Sequence, residues 1–216
     1  MTQIPADFVR HHARLMAPPL VPELTLYLVN EVVPLWRATE EELSRMGVPP
    51  PYWAFAWAGG QALARYILDN PSLVAGKRVL DFGAGSGLVG LAAAKAGAAH
   101  VTAADIDVFA AAAIALNAEA NNLNLTITSA DMIGAALPFD VILLGDLCYE
   151  RPLAERLLAW VKRADADILL GDPGRSYFPK TGLTRLALYN VQTTRELEDS
   201  EIRATGVWRL DRSPAK

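Results

Sequence analysis

The chain has 216 residues, 52% of them hydrophobic and 20% charged, enough apolar material for one substantial core but too little length for a second catalytic domain. Its formal charge is −4 and its pI about 5.4, with no Lys/Arg run longer than two residues, which argues against a phosphate-tracking surface and hence against a nucleic-acid substrate. One cysteine, Cys148, and three histidines without ligand spacing exclude a disulfide framework and a cysteine-based zinc site, so a reduced, cytoplasmic, metal-free protein is expected. No membrane association is expected either. Apolar stretches stay short of the ~18 uncharged residues of a span, and Asp7, Arg10, His11, His12 and Arg14 interrupt any leader-like run.

In chain order, residues 6–16 read as a short polar helix stopped by Pro18 and Pro19, and Leu24 to Val29 as a strand. Thr39 with Glu42 is a capping-box pattern, so a helix is expected from there to about Met46, ending at Gly47 before the stiff run Pro49, Pro50, Pro51. The apolar spacing from Gly60 to Leu68 suits a helix lying on a sheet, ended by Asn70 and Pro71. Strands are then predicted at Arg78–Phe82, His100–Ala104, Leu125–Ser129, Phe139–Leu144 and Asp167–Leu170, alternating with helices at Leu88–Ala96, Val108–Asn121 and Pro152–Arg163. Such alternation predicts an α/β fold, a doubly wound, mostly parallel sheet with right-handed crossovers. Arg185–Thr193 and Ile202–Leu210 are expected to add an antiparallel hairpin at its edge.

Asp81, Phe82, Gly83, Ala84, Gly85, Ser86 and Gly87 stand between a predicted strand and a predicted helix. A turn this rich in glycine lets the backbone approach a ligand, and the helix behind it presents N–H groups and a positive dipole end. Two cofactors compete for it. As Gly85, Gly87 and Gly90 the loop fits the dinucleotide pattern GxGxxG, with the acid Asp105 about 20 residues on; as Asp81, Gly83, Gly85 and Gly87 it is DxGxGxG. The second frame resembles motif I of class I S-adenosylmethionine-dependent methyltransferases, and the short remainder of the chain favours that reading over a dehydrogenase with a separate substrate region.

Ligands of open α/β sheets bind beyond the carboxyl ends of the strands. Asp81 ends the first parallel strand, where it can fix the turn and face a cofactor. Asp105 follows the second, where a carboxylate can accept both hydroxyls of an adenosyl ribose, while Asp107 reads as the cap of the next helix. Asp131 follows the third. The fourth ends at Gly145, Asp146, Leu147, Cys148, Tyr149 and Glu150; Cys148 there reads as a small buried filler. After the fifth come Asp172, Pro173, Gly174 and Arg175, where the arginine is either a substrate ligand or an ordinary surface residue.

The segments VLDFGAGSG, AADID, SAD and DLCYE together resemble the seven-strand protein lysine methyltransferases, whose signature (D/E)xx(Y/F) is matched by Asp146 and Tyr149. Pro51 to Gly60, PYWAFAWAGG, resembles that family's WxxxWxGG segment, and the (N/D)PP(Y/F) signature usual in nucleic-acid and glutamine methyltransferases is absent. With GDPGRSYFPKTGL added, the likeness is to the electron transfer flavoprotein β-subunit lysine methyltransferases and runs from about Tyr27 to Trp208. The resemblance implies a class I methyltransferase domain over 51–216 behind an N-terminal extension, 1–50, whose first ~20 residues match nothing. It implies S-adenosylmethionine held by Trp57, Asp81, Gly83, Gly85, Gly87, Asp105, Asp131 (through the adenine amino group) and Gly145, with Asp146 and Tyr149 as catalytic residues.

Lysine is nucleophilic only when neutral, and reaching that form at neutral pH costs about 4 to 5 kcal/mol. A carboxylate such as Asp146 can orient the amine, and aromatic walls such as Tyr149 disfavour the ammonium. The expected substrate is the electron transfer flavoprotein β subunit, with another protein such as a ribosomal protein as the alternative. A cofactor-binding regulatory module without turnover and a dinucleotide oxidoreductase remain as readings of other kinds.

Overall fold

A computed structural model describes residues 3–29, 50–193 and 201–211. The helix expected from Thr39 lies outside them. Seven strands form one sheet: β3 (Arg78–Phe82), β4 (His100–Ala104), β5 (Thr126–Thr128), β6 (Val141–Gly145), β7 (Asp167–Asp172), β8 (Leu183–Gln192) and β9 (Ile202–Leu210), in the order β5-β4-β3-β6-β7-β9-β8. The first five run parallel, and β9 joins β7 antiparallel with β8 outside it, so the doubly wound sheet and edge hairpin are as the periodicity predicts.

Side chains of the central strands alternate between two apolar layers, as the period of a strand requires. Val79, Val141, Leu143 and Leu169 pack on one face with Ala58, Ala62, Leu63 and Ile67 of α2 (Ala58–Asp69). Leu80, Ile142, Leu144, Ile168 and Leu170 pack on the other with Leu157 and Trp160 of α5 (Arg151–Val161). Between β3 and β5 the chain winds outward through α3 (Leu88–Lys95) and α4 (Val108–Ala120), then returns to place β6 on the opposite side of β3. The reversal makes the gap between the carboxyl ends of β3 and β6 the topological switch point, where ligands of such sheets bind.

The start of the chain departs from expectation. A helix, α1 (Gln3–His12), stops short of residue 16, and Arg14–Met16 is instead a strand, β1, paired antiparallel with β2 (Leu26–Leu28). Arg14 ends the helix by turning its guanidinium onto the carbonyls of His11 and Ala13. The fourth parallel strand begins at Val141 rather than Phe139, because Asp140 is engaged by Arg78 through both its backbone and its carboxylate.

Candidate active site

Gly83, Gly85 and Gly87 all take left-handed φ values, 64°, 52° and 79°, which side-chain-bearing residues resist. Four amides of the turn are bonded within the protein rather than offered outward. Gly83 and Ala84 donate to the carbonyl of Ala104, Gly87 to that of Ala84, and Gly85 to Oδ2 of Asp105 at 2.8 Å. Asp81 is buried beneath the turn and accepts from the Gly90 N–H of α3 at 2.7 Å; burial and, secondarily, Asp105 push its carboxyl up to about 7. From β3 the Asp81 carboxylate takes one first-turn N–H of α3 and offsets the positive dipole end that a pyrophosphate would use. This arrangement disfavours a dinucleotide.

Asp105 is held by two backbone donors, Gly85 on Oδ2 and Asp107 on Oδ1 at 3.0 Å, and each oxygen keeps one more lone-pair position for hydroxyl donors. Burial raises its pKa against those two bonds. Asp107 caps α4 through the Phe109 N–H at 2.8 Å, and burial pushes it up to about 6. Between them Ile106 is an apolar side chain 72% exposed at the strand end, a surface that a flat apolar ligand group would cover. Asp131 lies apart in the exposed loop after β5, accepting from the Ile133 N–H and 3.7 Å from Arg156.

The residues before α2 roof the turn. A β-carbon built on Gly85 would lie 3.8 Å from the Tyr52 carbonyl and 3.9 Å from Cα of Trp53. The Trp57 indole N–H donates to that same Tyr52 carbonyl at 2.9 Å, and the Tyr52 ring stands 5.6 Å from Tyr149, whose hydroxyl burial pushes up to about 12. Gly59, Gly60, Gly145 and Gly171 then let α2 touch the sheet. A β-carbon on Gly145 would come within 3.1 Å of Gly60, and one on Gly171 would collide with the Gly59 carbonyl.

Asp146 follows Gly145 at φ 58°, one of two residues other than glycine with positive φ among the described residues. Its carboxylate is 7% exposed and doubly engaged. Oδ2 accepts from the Gly59 and Gly60 N–H groups, capping α2 from 87 residues away, and Oδ1 accepts from Nε and Nη2 of Arg175 at 3.0 and 2.7 Å. The Arg175 guanidinium also lies 5.6 Å over the Trp57 ring. Asp172 fixes the root of that arginine by accepting from the Gly174 and Arg175 N–H groups, both at 2.7 Å.

Thus the glycine turn, Asp105, Gly145, Asp146, Trp57 and Tyr149 gather around the switch point, Asp81 lies under it, and Asp131 stays peripheral. Ile106, Tyr52 and the Arg175–Asp146 pair were not singled out as site residues by sequence. Ile106 carries one readable sign, an apolar residue between two acids at a strand end.

The model of the ribosomal protein L11 methyltransferase (PrmA) family matches residues 62–148. The electron transfer flavoprotein beta subunit lysine methyltransferase of Xenopus laevis is 38% identical to this chain over 96% of it and 87% of the relative. The Danio rerio protein of that name is 39% identical over 90% and 78%, and the Homo sapiens protein 37% over 88% and 75%.

The chain belongs to the electron transfer flavoprotein beta subunit lysine methyltransferase family. It is therefore a methyltransferase. Solved structures agree on the fold: a putative RNA methyltransferase from Pyrococcus horikoshii superposes with a TM-score of 0.57 at 12% identity, covering 71% of this chain and 82% of that one. Magnesium protoporphyrin IX methyltransferase from Synechocystis, with bound S-adenosylmethionine, gives 0.51 at 16% over 69% and 77%. The fold is that of class I S-adenosylmethionine-dependent methyltransferases. Among the described residues no helix is long and apolar enough to cross a membrane.

Proposed function

We propose that the protein methylates lysine of the electron transfer flavoprotein β subunit, with S-adenosylmethionine as donor. The observation that carries the reading is the grouping of Asp105, the left-handed glycine turn and Asp146 at the carboxyl ends of the neighbouring strands β4, β3 and β6, in a chain whose relatives bear that activity in their name. Acids and self-bonded amides suit a cofactor that brings hydroxyls and positive charge rather than phosphates.

Asp105 would hold the ribose hydroxyls on its remaining lone pairs, Gly83 and Gly85 would permit close backbone approach, and Ile106 would cover an adenine face. Trp57 and Gly145 would flank the reacting end, and Asp131 would serve the adenine amino group from the rim. Bound there, S-adenosylmethionine supplies an electrophilic methyl group. The protein's own contribution is to orient the lysine amine at Oδ1 of Asp146, to help its proton leave to solvent water, and to wall its path with Tyr149 and Tyr52 so that the neutral amine meets the methyl group away from bulk water. Neither a metal nor a covalent enzyme intermediate is required.

A ribosomal protein substrate draws support from an Aeromonas hydrophila ribosomal protein L11 methyltransferase 48% identical over 79 residues, but that match spans 37% of the chain and 25% of the relative, and the PrmA family model ends at residue 148, before Arg175. Incubation of the purified protein with S-adenosylmethionine and each candidate, followed by mass spectrometry, decides between them. Methyl groups on flavoprotein lysines are expected; methyl groups on RNA, or on glutamine or arginine with lysines untouched, overturn the proposal.

A further inference from the structure

An ionised carboxylate has about four acceptor positions, and all four on Asp146 are in use. Two on Oδ2 are taken by the N-terminus of α2 and two on Oδ1 by Arg175. The Oδ2 bonds belong to the fold, since without them two first-turn amides of α2 lose their acceptor inside the protein. Oδ1 is different. Arg175 reaches it through a long side chain, on a loop whose backbone is fixed independently by Asp172. An amine that is to meet Asp146 must take the place of that side chain.

The Arg175 environment is also what an ammonium needs. It combines a buried carboxylate oxygen with an aromatic face, a pairing that attracts any desolvated cation regardless of which residue bears it. The arginine side chain is 17% exposed, so this place is not sealed from the solvent. Tyr149, 38% exposed, and Tyr52, 40% exposed, stand in contact with each other, and the Tyr52 ring lies 6.1 Å from that of Trp57.

We propose that Oδ1 of Asp146 and the face of Trp57 form a cation subsite, that Arg175 is its resident occupant, and that the substrate lysine enters by exchanging with the Arg175 guanidinium. The proposal rests on the reading of the protein as a lysine methyltransferase. It adds a selection step: Arg175 keeps Asp146 neutralised in the free enzyme, so a competing cation needs the high local concentration that a docked partner gives it. An internal competitor lowers the apparent affinity for an external cation by the fraction of time it holds the site, so its removal must raise that affinity.

The test titrates the full-length protein with n-butylammonium chloride, a lysine side-chain mimic, and follows the melting temperature. R175Q removes the guanidinium charge from beside a buried carboxylate, and n-butylammonium is expected to stabilise it with a half-saturating concentration at least ~10-fold below that of the wild type. Sodium chloride at equal ionic strength should not reproduce the effect, and adding D146N to R175Q should abolish it. Equal responses of wild type and R175Q, or a shift that survives D146N, overturn the exchange. Should R175Q not fold, R175K serves in its place: one ammonium grips Oδ1 less firmly than a two-point guanidinium, so R175K is expected to respond at lower n-butylammonium than the wild type, and an equal response again overturns the proposal. No methyl transfer is measured. A failed titration therefore refutes the exchange alone, whereas lysines left unmethylated on the flavoprotein refute the substrate reading alone.

Discussion

Oδ2 of Asp105 accepts the backbone N–H of Gly85 at 2.8 Å, so the acid that ends β4 holds in place the turn that ends β3. Ligand and turn therefore share one carboxylate. Asp105→Ala removes two bonds to backbone amides as well as two prospective acceptors for ribose. S-adenosylhomocysteine affinity is expected to fall by about 1.5 to 3 kcal/mol, the worth of charge-assisted hydrogen bonds, in a protein that remains folded. Calorimetry measures it, and a folded variant with unchanged affinity would remove Asp105 from the cofactor site.

Asp81 gives a pH signature. Its folded-state pKa of about 7 lies above the ordinary value of 3.8, chiefly from burial, so between these values the folded protein binds a proton that the unfolded chain has released. The stability it supports is complete below pH 4 and is lost as pH rises to 7, by about 1.4 kcal/mol for each pKa unit of separation. Asp81→Asn keeps an oxygen acceptor for the Gly90 N–H without the charge. Urea unfolding at pH 5, 6, 7 and 8 should show the wild type losing stability relative to this variant as pH rises, whereas parallel curves would mean that Asp81 titrates normally.

The central layers were legible because β3, β4, β6 and β7 are short apolar runs, buried on both faces, that alternate with the longer apolar, alanine-rich helices α3 and α4 and the amphipathic α5, and the strand-end acids follow from that placement. What the sequence concealed is non-local. Arg14–Met16 is a strand only because Leu26–Leu28 lies beside it, and its own residues suit a helix equally well. Arg175 reads from sequence as either a substrate ligand or a surface arginine, and its pairing with Asp146, 29 residues away, is set only by the adjacency of β6 and β7. Asn117 sits unremarked in an alanine-rich helix until its partners, 90 and 31 residues away, are known.

Those partners make Asn117 a test of how the N-terminal segment is tied to the glycine turn. Its amide is fully buried, accepting from the Tyr27 N–H at 2.6 Å and donating to the Ser86 carbonyl at 2.8 Å. Asn117→Ala leaves both backbone groups without their partner, at about 1–3 kcal/mol each. A drop of about 2 kcal/mol or more in unfolding free energy is expected, together with faster proteolysis near Tyr27. Wild-type stability would show that the amide bonds contribute nothing net.

Gly171→Ala tests the contact that brings α2 to Asp146. The new methyl group would meet the Gly59 carbonyl, backbone that cannot swing aside, so the first turn of α2 must lift from the sheet. Overpacking of this kind costs about 1–3 kcal/mol or more. Since Gly59 and Gly60 are the donors to Oδ2 of Asp146, methyl transfer should fall along with stability. Gly171 lies in β7 and not at positive φ, so alanine brings no backbone strain of its own there; wild-type stability and activity would dissolve the argument from close approach.

Asp146 should separate chemistry from cofactor binding. Neutralising lysine at pH 7 costs about 4 to 5 kcal/mol, and a carboxylate that receives the ammonium and directs its proton outward acts on that cost. Asp146→Asn can still accept the α2 amides through its oxygen, so the helix keeps a cap, but its amide group opposes Arg175 with donor against donor and offers the incoming amine no negative charge. The rate of methyl transfer is expected to fall at least ~100-fold, the scale of a positioned acid–base group, while S-adenosylhomocysteine affinity stays within about threefold, a change well under 1 kcal/mol. Single-turnover kinetics beside calorimetry reads both. Near-normal turnover would reduce Asp146 to a helix cap, and a collapse of cofactor affinity would move it from the amine's side of the site to the cofactor's.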